Sequence, residues 1–134
     1  MTVRETRGKN RPRRTCLAVP GSSVKMLTKA QGLAADQVFL DLEDSVAPIA
    51  KPEARQNIIQ ALRTGDWGGK IRVVRVNDWT TEWTYQDVVT VVEAAGEHID
   101  AIMLPKVQTA GQVAALDMLL SQIERSRGLE HGAI

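Results

Sequence analysis

Val38-Phe39-Leu40-Asp41-Leu42-Glu43-Asp44 runs from an unbroken apolar stretch straight into a carboxylate cluster. A strand with one wet face alternates apolar and polar residues. This one does not, which marks a strand buried on both faces, as in a parallel sheet. Cys16–Val19, Ile71–Val76 and Ala101–Leu104 share the trait.

Helical periods fill the gaps between these runs. The first helix is expected to start at Ser22 or Ser23, either of which can cap it. Val24, Leu27 and Ala30 should line its buried side, and Gly32 should end it. The second opens near Pro52, a residue suited to a first turn. Ala54, Ile58, Ile59 and Leu62 form its apolar face and Gly65 its stop. The third spans Tyr85 to Ala95, with Val88, Val89, Val91 and Val92 inside. The fourth starts at Thr109, with Gln112 at capping-box spacing. Val113, Leu116, Leu119, Leu120 and Ile123 follow at helical spacing, and Gly128 closes it.

Strands alternating with helices predict an α/β fold with parallel pairing through right-handed crossovers. An open doubly wound sheet and a closed (β/α)8 barrel both fit. A closed barrel takes about 250 residues. These 134 residues hold four βα units, and Leu129–Ile134 reads as the approach to a fifth strand.

Composition excludes several classes. The chain is 43% apolar and 25% charged, ordinary for a globular protein. Its net charge of +1 argues against a broad nucleic-acid surface. The single cysteine, Cys16, allows no internal disulfide. With His98 and His131 it does not make a zinc site of the usual kind. No apolar run approaches the roughly 18 residues that cross a membrane. Residues 1–13 read as a basic, solvated arm with no secretory h-region, so a cytoplasmic protein is expected.

The chemistry concentrates where the strands end. Asp41, Glu43 and Asp44 repel one another and call for a cation or hydrogen-bond donors. A divalent metal neighbourhood and a loop of solvated acids are both open readings. Arg75, between Val74 and Val76, needs an anionic partner: a carboxylate of the acidic cluster, or a substrate carboxylate or enolate. Arg72, nearer the strand start, is expected to be exposed. Lys106 ends the fourth run and reads first as an ion-pair partner of the acids, second as a substrate contact. Pro20-Gly21-Ser22-Ser23 opens a helix and is a weak phosphate signal, with Lys25 and Lys29 in the helix that follows. Trp79, Trp83 and Tyr85 lie after Arg75, and loop packing is favoured over walling a site.

Four strings in order carry a family likeness: Val19-Pro20-Gly21-Ser22, Val38 to Pro48, Val74-Arg75-Val76-Asn77, and Ile102-Met103-Leu104-Pro105-Lys106-Val107. Together they closely resemble the HpcH/HpaI aldolase/citrate lyase family, and within it the malyl-CoA lyase-like CoA ester lyases. The likeness runs from about Arg13 to the last residue. It implies a TIM barrel, here its first four βα units over residues 14–134, in a trimer or hexamer. It implies Mg2+-dependent cleavage of malyl-CoA or citramalyl-CoA to acetyl-CoA and a 2-oxo acid. By that likeness Arg75 is the catalytic cation at the enolate and binds substrate. Lys29 matches a CoA-contacting lysine. Glu43 and Asp44 match an acidic pair near the metal, acting through water or by pairing with Arg75. The direct Mg2+ ligands are expected beyond Ile134, so the 134 residues alone are not expected to be active. Ser23 and Ala18 depart from the Arg and Phe common in those lyases.

Two rivals stand beside this reading. One is a non-catalytic half-barrel that self-associates or binds a partner through open sheet edges. The other is an unrelated doubly wound ligand-binding domain, which would need a Gly-x-Gly-x-x-Gly turn that the first strand lacks.

Overall fold

The computed structural model describes residues 10–134, so most of the basic arm lies outside the described residues. Strands β1 (Cys16–Pro20), β2 (Gln37–Asp41), β3 (Ile71–Arg75) and β4 (Ala101–Met103) alternate with helices α1 (Val24–Gln31), α2 (Lys51–Thr64), α3 (Thr84–Ala95) and α4 (Ala110–Arg127). Short 3-10 turns at Pro48–Ala50 and Gly96–His98 precede α2 and β4.

All neighbouring strands are parallel, in the order β1-β2-β3-β4. That order separates the two architectures. A doubly wound sheet reverses direction at a switch point and carries helices on both faces. Here strand order follows the chain. One apolar cluster joins Val19, Leu40 and Val74 of the sheet to Leu27 of α1, Ile58 of α2, Val91 of α3 and Leu120 of α4. The helices therefore share one face, as the outer ring of a barrel does.

Register assigns the two faces. Val19, Leu40, Val74 and Ile102 align on the helix side, and Ala18, Phe39, Val73 and Ala101 align on the other. The row Pro20, Asp41, Arg75, Met103 closes that second face at the carboxyl ends of the strands.

Capping follows the sequence closely. The Ser23 hydroxyl accepts from the Met26 N–H, and Thr109 accepts from the Gln112 N–H. The Gln112 side chain reaches the Gln108 N–H, one residue before the cap. Gly128 stops α4 at φ 67°, the left-handed conformation that favours glycine. Gly21 serves close approach instead. A Cβ there would lie 2.7 Å from the Asp41 carbonyl oxygen, to which the Gly21 N–H itself donates.

Two expectations need correction. Arg72 is 2% exposed, not exposed. It lies on the helix side of an interior strand, aligned with Val38, and its Nε stands 4.0 Å from Asp100. Asp100 also takes the Arg72 N–H and the Arg11 guanidinium, so a carboxylate at the amino end of β4 holds the charge. Val24 and Val113 are exposed. Both sit in first turns, at the ends of their helices where the core does not reach. Leu129–Ile134 forms no strand. Its Gly132 and Ile134 N–H groups donate to the buried Glu124 carboxylate.

Candidate functional site

Asp41 and Arg75 are register partners at the ends of β2 and β3, so their side chains emerge side by side. The guanidinium forks onto the carboxylate, with Nε 2.8 Å from Oδ1 and Nη2 2.9 Å from Oδ2. Nη1 lies 3.4 Å from Glu43 Oε1. The Phe39 ring lies beneath, its centroid 5.0 Å from Cζ. The Arg75 side chain is 23% exposed, so the group is held but reachable. A guanidinium has five N–H donors. The bonds to Asp41 and the approach to Glu43 leave others for a ligand.

The acidic stretch folds around Asp41 rather than around a void. The Asp41 carboxylate accepts from the N–H groups of Glu43 and Ser45 and from the Ser45 hydroxyl. Lys106, at φ 52°, places Nζ 3.2 Å from Glu43 Oε2 and 3.1 Å from Asp44 Oδ1. A left-handed non-glycine residue carries strain, and such positions cluster at functional sites. Glu43 is buried between two cations; Asp44 is exposed. Among the described residues no group of His, Cys, Asp or Glu is arranged to hold a metal ion.

Burial alone would push the Asp41 carboxyl up. Hydrogen bonds from Arg75, the Ser45 hydroxyl and two backbone N–H groups outweigh it and hold the group well below the usual carboxylate range. On unfolding it returns to an ordinary value of about 4. Its stabilisation is therefore full above about pH 5 and is lost as pH falls from there toward the depressed folded value. Denaturant titrations of wild type and Asp41→Asn across acid pH check this. The gap between them is expected to hold down to about pH 5 and to narrow below it. A gap that already closes above about pH 6 contradicts it.

Of the residues singled out by sequence, the structure gathers Arg75, Asp41, Glu43, Asp44 and Lys106. It does not bring Lys29 to them. Lys29 is exposed in the last turn of α1, which runs away from the strand ends, and takes no ion-pair partner among the described residues. Trp79 packs its loop, donating from Nε1 to the Gln112 carbonyl, while Tyr85 is exposed.

A second layer was missed. Lys51 is 3% exposed, and its Nζ donates to Leu42 O, Glu43 O and Asn77 Oδ1. Asn77 donates from its N–H and Nδ2 to Asp87 Oδ2, and Arg55 Nε bonds Asp87 Oδ1 at 2.8 Å. The signal was present. Lys51, Ala54, Arg55, Ile58, Ile59 and Leu62 all keep helical spacing, so both cations lie on the buried stripe of α2.

Comparison with known proteins matches residues 14–134 to the family model HpcH/HpaI aldolase/citrate lyase. An L-malyl-CoA/beta-methylmalyl-CoA lyase of Cereibacter sphaeroides is 50% identical over 118 residues, 88% of this chain and 37% of that protein. The chain thus spans well under half the length of the curated relatives it matches. Among solved structures, the citrate lyase beta subunit of M. tuberculosis complexed with oxaloacetate and magnesium aligns at TM-score 0.62. It is 34% identical over 78% of this chain and 44% of that one. A Haloferax volcanii malate synthase magnesium/glyoxylate complex aligns at TM-score 0.83 over 96% of this chain and 42% of that one, at 24% identity. With the one-sided helix layer and sequential strand order, the architecture is four βα units of the (β/α)8-barrel class.

Proposed function

The chain belongs to the HpcH/HpaI aldolase/citrate lyase family, and from that premise we propose that it supplies the enolate-stabilising part of a carbon–carbon lyase acting on 3-hydroxyacyl-CoA thioesters. The observation that carries this reading is the partly exposed Arg75 guanidinium, fixed by Asp41 at the carboxyl end of the sheet with N–H groups to spare. Active sites of parallel barrels gather at that end.

The reaction is a retro-aldol step. The hydroxyl proton leaves, the carbon–carbon bond breaks, and its electron pair passes into an enolate on the thioester. A fixed cation beside the thioester oxygen lowers that barrier without reorganising. Arg75 takes this role. Protonation at carbon then releases acetyl-CoA, with glyoxylate from malyl-CoA or pyruvate from citramalyl-CoA. Glu43 braces Arg75 and Lys106, and Asp44 braces Lys106. Lys29 is assigned to the CoA moiety, remote from the reacting carbons. The full enzyme is proposed to work as a homo-oligomer.

Magnesium is named in the M. tuberculosis complex. The described residues here do not fit it. Asp41 and Glu43 are answered by Arg75, and Glu43 and Asp44 by Lys106, so an ion would have to displace them. The direct ligands of the metal are proposed to lie outside these 134 residues.

The test is an assay of the natural protein, or of this chain mixed with the complementary carboxyl-terminal half, on malyl-CoA and citramalyl-CoA with Mg2+. Equimolar acetyl-CoA and 2-oxo acid are expected. Folded protein that releases neither product from either thioester rejects the reading. It would then favour a non-catalytic module pairing through the outer edges of β1 and β4.

A further inference from the structure

Lys51 buries a full charge behind the acidic loop, where an apolar side chain of the same length would fold at less cost. Burial pushes its ammonium down from the ordinary lysine range, opposed by Asp87, Asp41, Glu43 and Asp44. The contacts indicate what the charge does. An ammonium has three donors, and all are spent: on Leu42 O at 2.7 Å, Glu43 O at 3.0 Å and Asn77 Oδ1 at 2.8 Å. The first two carbonyls belong to the peptide planes on either side of the Glu43 Cα. Holding both planes fixes the direction in which the Glu43 side chain leaves the backbone. That side chain is the one between Arg75 and Lys106.

The third contact ties the loop to the other strand. Asn77 lies two residues beyond Arg75, and its Nδ2 donates to Leu42 O at 3.0 Å and to Asp87 Oδ2 at 2.6 Å. Arg55 pairs with Asp87 at 2.8 Å, so the Lys51 charge is shared between Asp87 and the loop acids. The Trp83 ring, 4.8 Å from Nζ, lies over the ammonium.

We propose that Lys51 is a positioning residue for the lyase reaction: it sets the Glu43 carboxylate, and through it the Arg75 guanidinium, in the orientation that receives the thioester oxygen. This rests on the lyase reading above. It concerns a residue that touches no reacting atom and acts only through the loop.

Lys51→Met is expected to fold. Leu42 O keeps its bond from Asn77, and Glu43 O keeps the Val46 N–H. In the natural protein, kcat for malyl-CoA should fall about a hundredfold with KM little changed, the scale of a small misplacement at a reacting centre. Lys51→Gln, which keeps donors but no charge, should fall between and decides the matter if the methionine variant does not fold. Leu62→Ala on the same helix is the control for lost stability alone and should keep kcat. A Lys51 variant that loses no more kcat than this control overturns the proposal. Hydrogen exchange at the Val46 amide gives a second readout that needs no catalysis. Faster exchange in Lys51→Met than in Leu62→Ala supports the loop role, and equal exchange overturns it. Wild-type protein that cleaves no thioester would sink the lyase reading separately, with the exchange result still deciding whether Lys51 holds the loop.

Discussion

Arg75→Met is expected to lower kcat for thioester cleavage by about 10²–10³-fold, the usual cost of removing one oxyanion donor. It should also destabilise the fold. Asp41 is buried and would lose both bonds of the guanidinium fork. Leaving one member of a buried ion pair unanswered costs about 3–5 kcal/mol. The Ser45 hydroxyl and two N–H groups still answer the carboxylate, so the lower end applies. Arg75→Lys separates the two effects. A lysine restores charge but not the fork, so stability should recover more than rate. Steady-state kinetics and urea titration of the three proteins read both. A methionine variant within about threefold of wild-type kcat would remove Arg75 from the mechanism.

Asp87→Ala is expected to produce the largest loss of stability, about 3–5 kcal/mol. Asp87 is fully buried on α3 and binds Arg55, the Asn77 N–H and the Asn77 side chain. Its removal leaves the buried Arg55 without its carboxylate and frees the loop that leads out of β3. For a domain whose total stability is about 5–15 kcal/mol, this approaches unfolding. Arg55→Leu with Asp87→Leu should recover part of the loss, because a buried pair replaced by apolar groups is often tolerated while the Asn77 N–H stays unanswered. Urea midpoints of the single and double variants measure it. A single-variant loss under about 1 kcal/mol would mean that the network is not closed as described.

The strands were legible because apolar runs such as Val38–Leu40 have no polar alternation. The helix starts were legible because Ser23 and Thr109 are capping residues followed by helical spacing. Strand order was not, since no local signal states which strand neighbours which. The one-sided helix layer that separates barrel from doubly wound sheet is a property of packing alone. Within the site, Arg75 and the Asp41–Asp44 stretch were conspicuous as charges inside or beside apolar runs. Arg72 was misread because apolar neighbours on a strand do not reveal which face meets a carboxylate, and Asp100 is distant in sequence. Lys51, Arg55 and Asp87 were overlooked for a related reason. Charged residues on a helix are usually solvated, yet at these positions they fall on the buried stripe.

The most direct measurement is a crystal structure of the natural protein with CoA or an unreactive thioester and a 2-oxo acid. An Arg75 N–H within about 3 Å of the thioester oxygen, with the fork to Asp41 intact, is the result this account requires. A thioester bound away from the carboxyl end of the sheet, or an Arg75 that stays turned from its oxygen, would contradict it.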